Sequence, residues 1–553
     1  MSTAWDHTYD VVVAGSGAAG MAAALTARLR GLTALVVEKT DRYGGTTALS
    51  GGAIWVPGNF HLDVAGLGDT PEKARAYLDA TVGDRVPAAR KDAYVTHGPR
   101  MVREFHDRTA VRFAYTPDYS DYYPERLGGY PQGRSVEPLV FDLNRLPPGQ
   151  RAGLRRAGLP TRGLTITSAD FRHLNMVART WAGKRTSLKV GVRAVAALAA
   201  GRKPLALGEA LVARLRYSLD RLGGDLWLSA PVTALVEEGG RITGVRVVRD
   251  GRETTVRARG GVVLASGGFS RDQRLREKYL PAPTSTEWTS APEGQTGDGL
   301  DLGVAAGAAV DLMDKVWGAP SVVPPGGTPF FLVADRGIPG MVIVDGAGER
   351  YANEAAPYHE FVDAMYAADR PGASTVPSWM ILDATAKARY LFLGLFPGQP
   401  FPKAWRESGF VKQAPTVERL AGLIGVAPER LRATVDRFNG FARAGRDTDF
   451  HRGDSVYDRY YGDPRLPNPN LAPLEKGPFH AVPVHPGDIG TKGGLVTDAT
   501  ARVLREDGTA IDGLYACGNV SAAVMGETYP GPGATIGPAM TFGWLASDHI
   551  ARS

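Results

Sequence analysis

The sequence has 553 residues, of which 43% are hydrophobic and 22% are charged, and its formal net charge is +6. This length predicts two or more domains, and the single cysteine, Cys517, excludes an internal disulfide. No apolar run approaches the roughly 18 residues of a membrane-spanning helix. The first residues lead directly into an apolar run, so we expect no signal peptide and a cytoplasmic protein.

The first predicted elements form a dinucleotide-binding fingerprint. An apolar run over residues 9–14 precedes the sequence Gly-Ser-Gly-Ala-Ala-Gly at 15–20, and an Ala-rich helical stretch follows. A second apolar run, 33–37, ends at Glu38. Strand, glycine turn, helix, strand and acid therefore follow one another in the order that binds a dinucleotide.

Each residue type in this fingerprint has a physical role. Gly15 permits the tight turn, Gly17 lets the backbone approach a pyrophosphate, and Gly20 lets the helix pack closely on the strand. Backbone N–H groups at the helix start then face the phosphates. Glu38 can accept hydrogen bonds from ribose hydroxyls.

Small residues further along favour a flavin over a nicotinamide. Residues 44–52 contain glycine pairs and small hydroxyl side chains, which suit a flat ring lying against backbone. A strand-like run spans 226–236, and residues 261–269 form an apolar run that ends in another glycine turn.

The segment 151–220 concentrates positive charge. It holds 14 Lys or Arg and three Asp or Glu, which leaves the rest of the chain net acidic. Three apolar residues recur at helical spacing downstream of Trp181, and three basic residues mark another face. They are Leu188, Val192 and Val195 on the apolar face and Arg185, Lys189 and Arg193 on the basic face. The pattern predicts a cationic amphipathic helix that lies on anionic lipid, and the alternative is an ordinary solvated surface helix.

The C-terminal part places a phenol among glycines and prolines. Residues 526–538 have the sequence Gly-Glu-Thr-Tyr-Pro-Gly-Pro-Gly-Ala-Thr-Ile-Gly-Pro, a rigid turn that an ordinary core does not need. Residues 317–488 lack dinucleotide signals and are rich in Pro and aromatic residues, which indicates an inserted cap. A cleft between domains is a usual place for a small-molecule site.

The three glycine motifs, in this order, resemble the FAD-containing flavoproteins of the fumarate reductase and succinate dehydrogenase superfamily. Within it, the Tyr-Pro-Gly-Pro-Gly sequence at 529–533 is similar to that of the 3-ketosteroid Δ1-dehydrogenases. Five further segments share this similarity, namely 120–125, 133–135, 353–358, 487–494 and 516–519. The resemblance implies an α/β fold with a Rossmann-like FAD-binding domain and an inserted α+β catalytic (cap) domain. The motifs divide the chain into residues 1–316 and 489–553 for FAD binding and 317–488 for the cap.

The same resemblance implies roles for the tyrosines in inserting a C1–C2 double bond beside a ketone. Tyr358 takes the C2 proton, Tyr122 lowers the pKa of Tyr358 and relays the proton, and the C1 hydride goes to flavin N5. The Tyr529 O–H and the Gly533 N–H polarise the carbonyl oxygen. Tyr123 stays open as the alternative to Tyr122, because several tyrosines crowd together and the register before residue 133 is shifted.

We expect FAD to be held without a covalent bond, a 3-ketosteroid as substrate, and a quinone or another electron acceptor. The residues expected to contact FAD are Gly15, Gly17, Ala18, Ala19, Gly20, Glu38, Lys39, Gly45, Thr46, Thr47, Ser50, Gly51, Gly52, Val232, Ala265, Ser266, Gly267, Gly518, Asn519, Ala534, Thr535 and Ile536. The sequence predicts no metal site, since no cluster has ligand spacing.

Two other functions remain open. One is another flavin oxidoreductase, such as a Δ4-ketosteroid dehydrogenase or an enoate reductase. The other is a nucleic-acid-binding flavoprotein, suggested by the basic segment, but that segment lacks interleaved aromatics, so no nucleic acid is expected. If residues 181–203 bind anionic lipid, the protein is also peripheral on the inner face of the cell membrane.

Overall fold

The computed structural model describes residues 4–157 and 164–553. Its central sheet has eight strands, and its core consists of five neighbours that pair in parallel. In order across the sheet these are Ala510–Ala516, Arg252–Leu264, His7–Ala14, Ala34–Val37 and Asp225–Trp227. The other three strands pair antiparallel at one side, namely Arg502–Leu504, Arg241–Arg249 and Val232–Glu238. Four of the five parallel strands carry a buried apolar run, because helices or strands cover both faces, whereas the edge strand Asp225–Trp227 is partly exposed.

The strand predicted over 226–236 is two strands, so that part of the prediction is wrong. Asp225–Trp227 extends the parallel sheet, whereas Val232–Glu238 belongs to the antiparallel part. Between them Ser229 has a left-handed backbone (φ 50°), and Pro231 has no N–H to donate. The chain therefore changes direction within the run, and Val232 begins the second strand.

The two ends of the chain pack together. The helix Ala18–Leu29, rich in buried alanines, lies against the last helix, Ile536–Arg552, which begins where the sequence predicts. The helix Ala88–Arg108 packs on the last helix, and Leu207–Arg221 packs on the first. This arrangement is the Rossmann-like FAD-binding fold that the sequence predicts.

A second sheet is antiparallel and lies within residues 317–488. Its four strands are, in spatial order, Met341–Val344, Ser378–Leu382, Phe479–Val484 and Lys412–Ala414. One face packs on the helix Tyr358–Ala368, and the other packs on the helices Val417–Ile424 and Pro428–Ala444. On this ground we propose the domain boundaries 1–316, 317–488 and 489–553.

The remaining elements connect and cover these sheets. The other strands are Ile54–Trp55, Phe113–Tyr115, Ser135–Pro138, Phe141–Asp142, Pro204–Leu205, Val310–Asp311, Val316–Gly318, Ser321–Val322, Phe330–Phe331, Asp488–Thr491 and Gly494–Leu495. The other α-helices are Phe60–Val64, Pro71–Val82, Pro148–Gly153, Ser168–Leu174, Trp181–Ala199, Gln273–Tyr279, Asp298–Ala305, Ala384–Arg389, Lys403–Glu407 and Val456–Arg459. Over the described ranges, none of the helices has the length and apolar content to cross a bilayer.

Candidate active site

The glycine turn after the first strand forms a close backbone crossing. Gly15 has φ +111°, and a Cβ placed on it would lie 2.3 Å from the carbonyl oxygen of Ala265. The ends of the two neighbouring parallel strands therefore meet at this turn. Gly17 precedes the helix Ala18–Leu29 and has no side chain to cap it, although Thr47 Oγ1 accepts from Ala18 N. The N-terminus of this helix is thus suited to a phosphate group.

The acid of the fingerprint lies beside this turn. The Glu38 carboxylate accepts hydrogen bonds from Ser16 Oγ (2.5 Å) and from Thr40 N and Oγ1 (3.0 and 2.9 Å). Ala230 N donates to Glu38 O at 2.9 Å, which brings the start of the strand at Val232 near the acid. Lys39 instead pairs with Asp298 at 2.6 Å, so its Nζ has a protein partner.

The small residues at 45–52 form a connected loop. Thr47 Oγ1 accepts from Ala18 N at 3.0 Å, and Ser50 Oγ accepts from Gly52 N at 3.0 Å. Gln295 joins this loop to the turn at 267–268, because its Nε2 donates to Thr46 Oγ1 and its Oε1 accepts from Gly268 N. Gln295 was not among the predicted residues, because no local sequence pattern marks it.

The return segment completes the cradle. Gly518 and Asn519 form a short turn after the strand Ala510–Ala516, and Ala534 and Thr535 lead into the last helix. These four residues line a common pocket.

Two observations test whether the cradle suits a dinucleotide. Ser266 Oγ, at the end of a central strand, is buried without a hydrogen-bond partner among the described residues. The residues Gly17 and Thr535, which precede the first and the last helix, make no side-chain hydrogen bond to the helix that follows. The predicted cofactor residues therefore fit a dinucleotide, and we propose the two helix N-termini, Ser266 and Glu38 as its polar contacts.

Three tyrosines from distant segments meet next to this cradle. The Tyr122 O–H donates to the Tyr358 oxygen at 2.8 Å. The Tyr529 ring centroid lies 5.2 Å from that of Tyr122 and 5.4 Å from that of Tyr358. All three are buried. Tyr122 N also donates to Pro530 O at 2.9 Å, which fixes the Tyr122 loop to the Tyr529 loop.

Donors from three residues converge on the Tyr529 oxygen. Thr535 Oγ1 donates to it at 2.9 Å. Burial raises the pKa of Tyr529, whereas hydrogen bonds from Thr535, Tyr358 and the Gly533 N–H oppose the rise. Gly533 has φ +93°, and a Cβ there would lie 2.4 Å from Ala53 O, so only glycine brings this amide so close.

Tyr122 and Tyr123 are adjacent in one loop, and their hydroxyl groups contact different residues. The Tyr123 hydroxyl lies 2.9 Å from His359 Nε2, whereas the Tyr122 hydroxyl contacts Tyr358. Tyr122 thus has the neighbour that its predicted role requires.

The net pKa shift of Tyr358 differs from the predicted lowering. Burial holds the pKa of Tyr358 well above its usual range near 10, and the nearby phenol of Tyr529 raises it further. The hydrogen bond from Tyr122 does lower the pKa, but it is a smaller effect than burial. Without substrate, Tyr358 is therefore protonated at neutral pH.

Further aromatic residues surround the tyrosines. The Trp317 ring packs edge to face on Tyr529 at 4.8 Å, and Phe331 packs on Tyr358 at the same centroid distance. Tyr457 packs on Tyr122 at 4.7 Å. These residues were not predicted as part of the site. For Tyr457 the sequence offers one indication, since residues 456–461 contain three tyrosines.

A buried ion triad stabilises the Tyr122 loop. Arg134 contacts Asp121 and pairs with both oxygens of Asp69 at 2.9–3.0 Å, and all three side chains are fully buried. Asp121, which precedes Tyr122, also accepts from Trp55 Nε1 at 2.7 Å. The triad therefore fixes the backbone next to the Tyr122 phenol.

Comparison with known proteins agrees with this geometry. The family model for the FAD binding domain matches residues 10–536. A 3-oxosteroid 1-dehydrogenase of Mycobacterium tuberculosis (strain H37Rv) is 48% identical over 98% of this chain and 98% of its own length. One of Mycolicibacterium smegmatis is 47% identical over 99% of this chain and 97% of its own length.

A solved structure extends the comparison to the fold. The crystal structure of 3-ketosteroid delta1-dehydrogenase from Sterolibacterium denitrificans, in complex with 1,4-androstadiene-3,17-dione, has a TM-score of 0.95 and 42% identity. The match covers 99% of this chain and 100% of that one. FAD is thus the cofactor for which the cradle is built. The chain belongs to the family of FAD-binding flavoproteins that contains the 3-oxosteroid 1-dehydrogenases.

Proposed function

We propose that the protein is a flavoprotein dehydrogenase that introduces a C1–C2 double bond into 3-ketosteroids. The observation that carries this proposal is the meeting of Tyr122, Tyr358 and Tyr529 beside the FAD cradle. The match to 3-oxosteroid 1-dehydrogenases over nearly the whole chain supports it. A 3-ketosteroid is the substrate.

The site residues have separate roles in the removal of two hydrogens from the steroid. The Tyr529 O–H and the Gly533 N–H donate to the C3 carbonyl oxygen, which makes the neighbouring C2 hydrogen more acidic. Tyr358 accepts the C2 proton, and Tyr122, 2.8 Å away, stabilises the charge on Tyr358 and passes the proton on. Bound FAD would supply the acceptor for the C1 hydride.

We also propose that FAD is held without a covalent bond. The one cysteine of the sequence, Cys517, is fully buried, and burial raises the pKa of its thiol to about 12. It therefore carries no thiolate for attachment. A quinone or another electron acceptor would take the electrons from the reduced cofactor.

The function is tested with oxidised holoenzyme under anaerobic conditions. Androst-4-ene-3,17-dione should bleach the flavin absorbance and yield the 1,4-diene-3-one. A cyclohexanone without the fused steroid rings should bleach it more slowly, because it lacks the remote contacts that orient a steroid. Desaturation at C4–C5 of a saturated 3-ketosteroid instead would assign the protein to the Δ4 class.

A second observation favours a membrane location. The helix Trp181–Ala199 presents an apolar stripe to solvent, and its members are 60–82% exposed. They are Trp181, Leu188, Val192, Val195 and, just beyond the predicted set, Leu198. Exposed cations flank the stripe at Lys184, Arg185 and Lys189. We propose that this helix rests on an anionic membrane surface, with its stripe among the acyl chains.

The structure corrects the predicted basic face. Arg193 pairs with Asp170 at 2.6 Å and donates to Thr165 O, so it secures the helix to the protein. Arg214 and Arg216, also counted in the basic segment, are buried, and Arg214 donates to three backbone carbonyls. Arg162 lies outside the described residues. The charge available to lipid is therefore smaller than the sequence suggests.

The membrane proposal predicts that the cations and the apolar stripe contribute separately to vesicle binding. Changing Lys184, Arg185 and Lys189 together to Ser should weaken binding to vesicles containing phosphatidylglycerol on the order of 100-fold, since each cation contributes about 1 kcal/mol. Changing Leu188 and Val192 to Ser should weaken binding to the same vesicles at high salt, where charge is screened. Sedimentation with vesicles measures both.

Leu423→Ser is the matched control, because Leu423 is an apolar side chain that is 51% exposed on another helix. It should leave vesicle binding unchanged. If the charge and apolar variants sediment like the parent, the helix is an ordinary surface helix.

A further inference from the structure

Lys492 is a buried cation that has no part in the reaction scheme above. It follows the strand Asp488–Thr491 and is 1% exposed. Its Nζ donates to the backbone carbonyls of Glu527 and Thr528 at 2.7 and 2.8 Å. These two residues directly precede Tyr529, so the ammonium group holds the backbone from which that phenol projects.

The same ammonium group reaches Tyr529 by a second route. Lys492 Nζ lies 4.7 Å from the centroid of the Trp317 ring, a cation–π contact. The Trp317 ring packs edge to face on Tyr529 at 4.8 Å. Lys492 thus contacts both the backbone before Tyr529 and the ring that packs on its face.

Burying a lysine ammonium group costs free energy unless hydrogen bonds and nearby charges compensate. Burial lowers the pKa of Lys492 to about 7, and the carboxylates of Asp363 and Glu527 oppose this shift. A methionine would fill a similar volume without the desolvation penalty of a charge. A methionine could not donate the two hydrogen bonds that Lys492 makes to backbone carbonyls.

We propose that Lys492 is a positioning residue that holds the Tyr529 phenol at the carbonyl-binding point through the 527–528 backbone and Trp317. This inference rests on the proposed role of Tyr529 as the donor to the C3 carbonyl oxygen. Donors must lie within a few tenths of an ångström of the developing charge, and a displacement of about 1 Å can lower the rate about 100-fold. Thr535 holds the hydroxyl end of the same phenol, so Lys492 and Thr535 fix it from both ends.

The test is a double-mutant cycle between Lys492→Met and Tyr529→Phe in the holoenzyme. Lys492→Met should lower kcat for androst-4-ene-3,17-dione on the order of 10- to 100-fold, with FAD retained. In the Tyr529→Phe background the same change should lower kcat less than threefold, because the hydroxyl that Lys492 positions is already gone. Binding of 1,4-androstadiene-3,17-dione, followed by the flavin spectrum, should show the same non-additivity.

Lys387→Met is the matched control. Lys387 is also buried, donates to a backbone carbonyl (Gln399 O, 2.5 Å) and lies 5.0 Å from an aromatic ring, that of Phe401, away from the tyrosines. It should leave kcat near the parent value. If Lys492→Met does not retain FAD, Lys492→Gln, whose amide still donates to one carbonyl, takes its place in the cycle.

The outcomes separate the inference from the function on which it rests. An unchanged kcat in the Lys492 variant, or losses that multiply in the double variant, would overturn the positioning role while the function stands. A parent enzyme that does not desaturate the steroid would show that the proposed function has failed, and the positioning role with it. A Tyr529→Phe variant as active as the parent would remove Tyr529 from the mechanism and overturn the positioning role, while the function stands.

Discussion

Tyr529→Phe is expected to lower the turnover of androst-4-ene-3,17-dione about 10²- to 10³-fold, the usual effect of removing one oxyanion-hole donor. The phenylalanine ring keeps the contacts with Trp317 and Tyr122, so only the hydroxyl is lost. FAD should stay bound, because Tyr529 contacts the neighbouring tyrosines and Thr535 and not the phosphate or ribose part of the cradle. Steady-state kinetics with a flavin-to-protein absorbance ratio measure both quantities.

Tyr358→Phe should lose turnover to a similar degree and also lose a pH dependence. Burial holds the pKa of Tyr358 above its usual range, so the deprotonated fraction, and with it kcat, should rise with pH through the alkaline range in the parent. The Tyr358→Phe variant should lack this rise, and Tyr529→Phe should keep it.

Tyr390→Phe controls for the loss of a buried phenol hydroxyl. Tyr390 is 1% exposed and donates to Asp463 at 2.9 Å, away from the three site tyrosines. Its variant should turn over like the parent. Parental activity in Tyr358→Phe or Tyr529→Phe would instead remove that residue from the mechanism.

Arg134→Met is expected to lower the free energy of unfolding by about 3–5 kcal/mol, because it leaves two carboxylates buried without their cation. Burial already raises the pKa of Asp121 to about 6 in the folded protein, against the opposing charge of Arg134. Without the guanidinium this pKa rises further, so the folded variant binds protons more tightly than the parent. The difference in free energy of unfolding between the parent and the variant should therefore become smaller as the pH falls from 7 to 5. Denaturant titrations of the holoenzyme at both pH values measure it.

An exposed arginine provides the comparison. Arg437 pairs with both oxygens of Asp449 at 2.5 and 2.7 Å, and its side chain is 64% exposed. Arg437→Met should change stability little at either pH, since solvent screens that pair. A deficit for Arg134→Met that grew as the pH fell would contradict the assignment of the buried charge.

The sequence was sufficient for the parts of the fold that local patterns determine. The glycine fingerprint, the strands at its sides and the start of the last helix at Ile536 could be predicted because each depends on neighbours a few residues away. The FAD-binding fold and the cofactor are confirmed by the family and structural comparisons. The turn at Ser229–Pro231 was missed, although its proline was a local signal against one continuous strand.

The parts that could not be predicted depend on contacts between distant segments. Tyr122 and Tyr123 are adjacent, and only the folded loop shows which one contacts Tyr358, 236 positions later in the chain. Arg193 was counted with the lipid-facing cations because its partner, Asp170, lies on a different helix. The assignments of site residues remain predictions, which the variants above test.

The packing of the last helix against the first has a consequence for synthesis of the chain. During synthesis the central sheet lacks the strand Ala510–Ala516, and the first helix lacks the partner Ile536–Arg552, until these segments have been made. Until then, the buried alanine face of Ala18–Leu29 is exposed on the nascent chain, where chaperones can bind it. The cradle also lacks Asn519 and Thr535 until that point. FAD can therefore bind fully only after these segments have been synthesised, and a chain that stops before Ala510 should be degraded rather than persist as a weak enzyme.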